Sequence, residues 1–102
     1  EVLMRLIFEW NENKAERNFN KHKVSFEEGK TIFNDPLLFT FPDVEHSLHE
    51  ERFVDIGLSA HRRVLVLTHT ERKGRIRIIN CRRATPRERR FYEEGSISEG
   101  DR

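Results

Sequence analysis

The sequence has little cysteine and no long apolar run. Cys81 is the single cysteine, so the chain cannot form an intramolecular disulfide. No stretch approaches the roughly 20 apolar residues that a membrane helix needs, and the start lacks a signal-peptide pattern. We therefore expect a cytoplasmic protein without membrane association. The chain begins at Glu1, and Met4 is a candidate natural start that would make residues 1–3 an extension.

Acidic residues are scarce too, but only in the second half of the chain. Residues 1–51 carry a net charge of −5 and residues 52–102 carry +6, although the whole chain is close to neutral at +1. Eight phenylalanines supply buried volume despite a mean hydropathy of −0.78. We expect one domain over residues 1–102, with an acidic scaffold and a basic contact surface.

The basic half is concentrated between residues 75 and 90, where seven arginines meet one acid, Glu88. The planar guanidinium group can grip a phosphate through two hydrogen bonds, so the cluster favours a nucleic-acid ligand. The alternative is a solvated charged face. The arginines are Arg75, Arg77, Arg82, Arg83, Arg87, Arg89 and Arg90.

Two helices are predicted in the first third of the chain. Asn11 caps a helix over residues 12–21 whose buried side carries Ala15 and Phe19, while Lys14, Arg17 and Lys21 face water. Ser25 and Glu28 have the spacing of a capping box, in which each side chain bonds the other residue's amide. Phe26, Ile32 and Phe33 form the apolar stripe of this second helix, which ends at residues 34–36 before Pro36.

The period of the apolar residues then changes from helical to two, which predicts strands. The strands are residues 37–41, 52–58, 64–70 and 75–81, preceded by a short first strand at residues 6–8. Short turns at 59–63 and 71–74 make neighbours antiparallel. The expected fold is α+β: a mainly antiparallel sheet of four to five strands, two N-terminal helices packed on it and a C-terminal helix.

The C-terminal helix has the strongest local signal. Thr85 is its cap, Pro86 occupies the first helical position and Glu88 follows the cap by three residues. We expect the helix to run to about Glu94 and the polar residues 95–102 to fray. Because it has few apolar residues, it should lie over the sheet edge or against a partner.

Several residues are candidates for chemistry. His22 ends the first helix beside Lys21, where the helix dipole favours the charged imidazole; the alternative is a surface histidine that only bonds carbonyl groups. Alternation sends Arg75 and Arg77 to the face opposite Ile76 and Ile78, unless Arg77 merely pairs with Glu51 or Asp55.

Two further candidates are rejected. His46 and His49 lie three residues apart among acids, but no helix would hold that spacing and no third cluster completes a metal site. Cys81 is best explained as a small buried apolar residue rather than a nucleophile. No metal or cofactor is expected.

Five motifs occur together and in order over about residues 8–94. They are FEW, NxxKHxVSFEE, HSxxExR, RIIxxRxAT and ERxxYE. In this combination the chain resembles the BrnT-type toxin family of bacterial toxin–antitoxin modules. It departs from the family at Lys23, where glycine is usual, at Gly29, where alanine is usual, and at Asn80 and Cys81, which replace serine and alanine.

The resemblance implies a RelE-like fold and a ribonuclease that inhibits translation. It also implies a BrnA-type antitoxin with its own DNA-binding domain, in a two-plus-two complex that reaches operator DNA through the antitoxin. RNA cleavage by the neighbouring 2′-hydroxyl needs a base, a proton donor and cations around the phosphorane, but no metal.

We assign these roles as expectations. Arg77 and Arg82 stabilise the phosphate with support from Arg52, His22 and Lys21 transfer protons or contact phosphate, and Glu51 is the carboxylate candidate for the base. Further RNA contacts are Arg72, Arg75 and Arg83, and the antitoxin would cover Arg83, Arg87 and Arg90 on one helical face. Two alternatives stay open: a non-catalytic toxin that poisons a protein target, and a plain nucleic-acid binder.

Overall fold

The computed structural model describes the backbone of residues 5–100 and the side chains of residues 5–95; residues 1–4, which include Met4, and residues 101–102 lie outside this range. Three helices and five strands, joined by two short 3-10 segments, form the fold. In chain order they are β1 (Phe8–Glu9), α1 (Glu12–His22), α2 (Phe26–Lys30), a 3-10 turn (Thr31–Asn34), β2 (Phe39–Pro42), a second 3-10 turn (Val44–His46), β3 (Arg52–Leu58), β4 (Val64–Arg72), β5 (Arg75–Arg83) and α3 (Pro86–Gly100).

The sheet is mixed, with strand order β1-β5-β4-β3-β2. Strands β2 to β5 are antiparallel neighbours, but β1 pairs parallel to β5 through Phe8 and Glu9. The expectation of a mainly antiparallel sheet is therefore wrong in this respect. Local alternation predicts that a strand exists but carries no information on its partner, and the residues that β1 pairs with lie 68 positions later in the chain.

Helices cover both faces of the sheet. One face carries Leu65, Leu67 and Cys81 and is packed by Val24, in the turn between α1 and α2, and by Phe26 of α2. We call it the α1–α2 face. On the opposite face Tyr92 of α3 is buried against Ile56 and Val66. We call this the α3 face. Tyr92 is only 7% exposed, and Phe91 of the same helix lies against Phe39 and Phe41 of the edge strand β2. Helix α3 therefore covers the expected edge and also reaches the central strands β3 and β4.

Helix α3 also extends to Gly100, beyond the predicted end near Glu94. Gly95 does not stop it, because this residue lies inside the helix where a Cβ atom would approach the Phe39 ring to 2.5 Å. Glycine here permits close packing instead of terminating the helix. The helix thus continues past its predicted end, whereas the fraying of residues 95–102 stays a prediction, and residues 101–102 lie outside the described part of the chain.

Helix α1 turns a polar residue toward the sheet. Asn18 is buried, whereas Phe19, predicted to be buried, is 47% exposed. The Asn18 amide donates to the carbonyl oxygens of Val24 and Cys81 at 3.0 and 2.8 Å, and its oxygen accepts from the Cys81 N–H at 3.1 Å. Strand β1 pairs only with residues 76 and 77, so the outer edge of β5 at Cys81 needs another partner. Asn18 supplies it.

Candidate active site

A β-bulge in β5 decides which arginines share a face. Asn80 pairs with Thr68 and Ile78 with His69, so Ile79 is an extra residue in β5. Strict alternation would place Arg77 and Arg82 on opposite faces, since one number is odd and the other even. The bulge shifts the alternation by one residue and puts both on the α3 face. The sequence prediction that they act together depends on this bulge.

The predicted phosphate-binding arginines are spread along this face. Arg52, Thr70, Arg77 and Glu9 form one row of paired residues across four strands. Arg82 pairs with Val66, four residues from Thr70 along β4 and hence about 13 Å away at the backbone. The predicted cluster is therefore a surface and not a single point of convergence.

Acidic side chains contact most of these arginines, and the sequence prediction named none of the partners correctly. Glu9 lies 3.2 Å from Arg77 and 3.6 Å from Arg75. Glu50 lies 3.5 Å from Arg52 and 3.1 Å from Arg72. Arg77 thus pairs with Glu9 instead of Glu51 or Asp55. The carboxylate that orients Arg52 is that of Glu50, while the described contact of Glu51 is through its carbonyl oxygen, which accepts from Thr70 at 2.7 Å.

Arg82 is held by the start of α3. Its two terminal nitrogens donate to Glu88 at 2.8 and 2.9 Å. Glu88 also accepts from the Thr85 N–H at 2.8 Å, so the predicted capping box of α3 is confirmed and carries an arginine as well. The hydrogen bonds from Arg82 lower the pKa of Glu88 to about 2. Arg82 is accordingly fully charged, and its pKa is raised by the same contact.

His22 and Lys21 lie across the outer edge of β5 from Arg82. Together with Ile79 and Asn80 they line a shallow groove of about 440 Å³ between α1 and the bulge. Burial lowers the pKa of His22, and the positive charges of Lys21 and Arg82 lower it further. This shift is opposite in direction to the one expected from the helix dipole. A neutral imidazole at neutral pH can accept a proton.

Comparison with known proteins identifies the family. A family model described as "Ribonuclease toxin, BrnT, of type II toxin-antitoxin system" matches residues 10–88. The chain belongs to the BrnT family. Among solved structures it is similar to the 1.1 Å crystal structure of the Brucella abortus ribonuclease toxin BrnT, with a TM-score of 0.60 and 20% identity over 81% of this chain and 99% of that chain. At this identity the likeness shows the fold alone. No curated protein matches.

Membership in a type II module implies an antitoxin partner, and three arginines were predicted to meet it. Arg83 is the last residue of β5, whereas Arg87 and Arg90 lie in the first turns of α3. The prediction that all three share one helical face is wrong, because the strand continues two residues past the predicted end at Cys81. All three are exposed and have no carboxylate partner among the side chains of residues 5–95.

The remaining polar candidates of this BrnT-family chain, Cys81 and His46, are engaged in burial or contacts that belong to the fold. Burial raises the pKa of Cys81 to about 12, so its thiol is not a nucleophile. His46 bonds Asp43 at 3.0 Å, and the described residues contain no cluster of three metal-binding side chains. No helix within residues 5–100 is long and apolar enough to cross a membrane. A buried contact that sequence reasoning missed joins His69 to Asp55 at 2.5 Å.

Proposed function

We propose that this chain cleaves RNA through attack of the 2′-hydroxyl on the neighbouring phosphorus, at the point where α1 ends beside Asn80. The observation that carries the proposal is the location of His22, which shares a groove with Lys21 and Asn80 and is close enough to Arg82 for its pKa to respond. A neutral base next to two cations, one of which can give up a proton, is the set of groups that this reaction needs.

His22 takes the proton from the 2′-hydroxyl while O2′ attacks the phosphorus. Arg82 and Lys21 stabilise the extra negative charge of the five-coordinate phosphorane. The bond from phosphorus to O5′ then breaks, and the leaving oxygen takes a proton from Lys21. The products are a 2′,3′-cyclic phosphate and a free 5′-hydroxyl. The scheme requires no metal ion, and Glu51 is unsuited as the base because it precedes β3, two strands from β5.

The other arginines of the α3 face extend the RNA surface. Arg77 and Arg52 would hold phosphates on the row beyond the bulge, and Arg75 and Arg72 would do so at the β4–β5 turn. Each of them contacts Glu9 or Glu50, so these acids reduce the net positive charge of the surface that the RNA would contact. Arg82 must either release Glu88 in order to bind a phosphate, or bind the phosphate through the N–H groups that Glu88 leaves unused.

The test is RNA cleavage by the purified protein in EDTA and without ribosomes, with analysis of the product ends. Arg82→Lys should lower the rate by about 10²-fold, since lysine keeps the charge but not the two-pronged geometry. His22→Gln should do the same and abolish the fall in rate at acidic pH, below the lowered pKa of the imidazole. Arg62→Lys, in the β3–β4 turn, is the control. A folded His22→Gln protein with the original pH–rate profile would exclude His22 as the base.

One observation favours a second candidate, a toxin that binds without cleaving. Arg77 and Arg82 are both engaged by carboxylates, as they would be in a surface that recognises a protein or nucleic acid by charge. The same assay separates the two functions. Growth inhibition that depends on Arg82, combined with no cleavage by the purified protein, would support the binder.

We propose further that a BrnA-type antitoxin covers Arg83, Arg87 and Arg90, in a two-plus-two complex that binds operator DNA through the antitoxin. Exposed cations without carboxylate partners would speed association with an acidic segment, most at low salt. Replacing the three arginines by glutamate should slow association and release the toxin. An association rate that matches wild type at every salt concentration would place the antitoxin elsewhere.

A further inference from the structure

Three cations on α1 differ from the arginines of the sheet. Lys14, Arg17 and Lys21 follow the spacing i, i+3, i+7 and all line the groove that contains His22. Within the side chains of residues 5–95, none of them is within salt-bridge distance of a carboxylate. By contrast, Arg52, Arg72, Arg75, Arg77 and Arg82 each contact one.

The charges of α1 are sorted by side. Glu12 and Glu16 line a separate groove on the other side of the helix, together with Trp10 and Glu27. A helix whose charges only serve solvation gains from opposite charges three or four residues apart. Here Arg17 and Lys21 are four apart and alike, and so are Glu12 and Glu16. This arrangement destabilises the isolated helix and concentrates positive charge along one groove.

The floor of the groove is suited to a nucleotide. Ile79 is half-buried and offers an apolar surface, because the bulge removes it from the regular alternation. The Asn80 amide is half-buried too and makes no hydrogen bond within the described side chains, so it can meet the edge of a base. Cations along one wall and an apolar floor are the combination that binds single strands.

We propose that this groove binds the stretch of single-stranded RNA that flanks the cleaved bond, with Lys14 and Arg17 as phosphate contacts that lead the strand to His22. The inference rests on the proposed function for the position of the cleaved bond. From Lys14 to Lys21 the helix rises about 10 Å, which is enough for two to three successive phosphates. Lys21 would contact both the flanking strand in the groove and the reacting phosphate.

The test measures binding of a single-stranded 2′-O-methyl RNA, whose blocked oxygen cannot attack, by fluorescence anisotropy over a range of salt. The double variant Lys14→Gln, Arg17→Gln should bind more weakly and with a salt slope shallower by about 1.4, because each lost single-strand contact removes about 0.7. The matched control is Lys30→Gln, Arg62→Gln. It removes the same charge from the end of α2 and from the β3–β4 turn, away from the groove and from the other proposed RNA contacts, and should keep the wild-type slope.

Three results would overturn the inference. The first is a double variant that binds with the wild-type slope, and the second is a control that loses as much as the double variant. The third is a double variant that binds RNA normally but loses affinity for an acidic antitoxin peptide, which would make the groove a protein-docking surface. Cleavage of unmodified RNA is measured separately. If RNA binding depends on the groove but the protein does not cleave, only the proposed reaction is contradicted. If the protein cleaves but the double variant binds like wild type, only the proposed role of the groove is contradicted.

Discussion

Two helices of this chain begin with the same pattern, a hydroxyl residue followed three positions later by glutamate, and the two glutamates behave differently. In both cases the hydroxyl oxygen accepts from the glutamate N–H, at 3.0 Å for Ser25 and 3.1 Å for Thr85. Glu88 then returns the bond to the Thr85 N–H, as a capping box requires. The carboxylate of Glu28 is instead bound by Arg63 and by the Ser59 hydroxyl, the latter at 2.7 Å.

Burial explains the difference. Glu28 has a side chain that is 4% exposed, so its carboxylate must find several donors inside the protein, and the β3–β4 turn supplies them. Glu88 keeps 29% exposure and needs fewer partners, so it can cap its helix and still hold Arg82. The hydrogen bond to the hydroxyl oxygen thus depends only on residues at the helix start, whereas the glutamate carboxylate binds whichever arginine the fold brings near. The first pair supports the fold, and the second lies at the proposed site.

The largest difference is expected in stability. Glu28→Ala should lower the free energy of unfolding by about 2–4 kcal/mol, at the lower end of what broken buried pairs lose because Arg63 retains contact with water. Glu88→Ala should lower it by only about 0.5–1.5 kcal/mol, since water can replace the lost partner. Urea denaturation measures both, with the exposed neighbour Glu27→Ala as the control. Equal losses at the two positions would contradict the assignment of Glu28 as the structural member.

The acid side of the stability curve is a finer test of the same pair. The pKa of Glu88 falls from 4.5 to about 2 on folding, and that of Glu28 is also lowered, in each case chiefly by an arginine hydrogen bond. A carboxylate with a lowered pKa contributes stability above its unfolded pKa, and this contribution is lost as the pH falls through the folded pKa. Stability should therefore decline between about pH 4.5 and pH 2. Glu88→Gln should flatten that decline, and at pH 7 it should lower the free energy of unfolding by no more than the loss of the helix cap does. A decline at acidic pH that is the same as in wild type would show that Arg82 does not hold Glu88 in solution.

The comparison also shows where prediction from sequence succeeds. Strand β3 has the predicted bounds, and both hydroxyl caps are confirmed, because these depend on neighbours within a few residues. The parallel partner of β1, the bulge at Ile79 and the acids that hold the arginines depend on residues far apart in the chain. Arg77 and Arg82 were selected for their charge, but only the bulge puts them on one face.

Even the departures from the family pattern become interpretable once contacts are known. A Cβ atom on Gly29 would lie 2.9 Å from the Cys81 sulfur and 3.1 Å from Leu67. The family resemblance leads us to expect alanine at positions 29 and 81, and the glycine and cysteine found there would exchange volume across one contact. The sequence alone shows two unrelated substitutions, and the fold shows one.

The smallest expected effect concerns the turn before the first of the two helix starts. Lys23 has a left-handed backbone with φ 60°, and its carbonyl oxygen accepts from Arg63 at 3.2 Å, whereas residues 84–85 reach the second helix start without a left-handed residue. Lys23→Gly should raise the free energy of unfolding by about 0.5–1 kcal/mol, because glycine adopts this conformation without a Cβ clash. The gain is reduced by loss of the Lys23 ammonium group from the Phe19 ring, 5.9 Å from its centroid. Arg62→Gly, at φ 63°, is the matched control. If Arg62→Gly stabilises the protein in thermal denaturation and Lys23→Gly does not, then the lysine side chain, and not backbone strain, determines the stability of the turn that leads into Ser25.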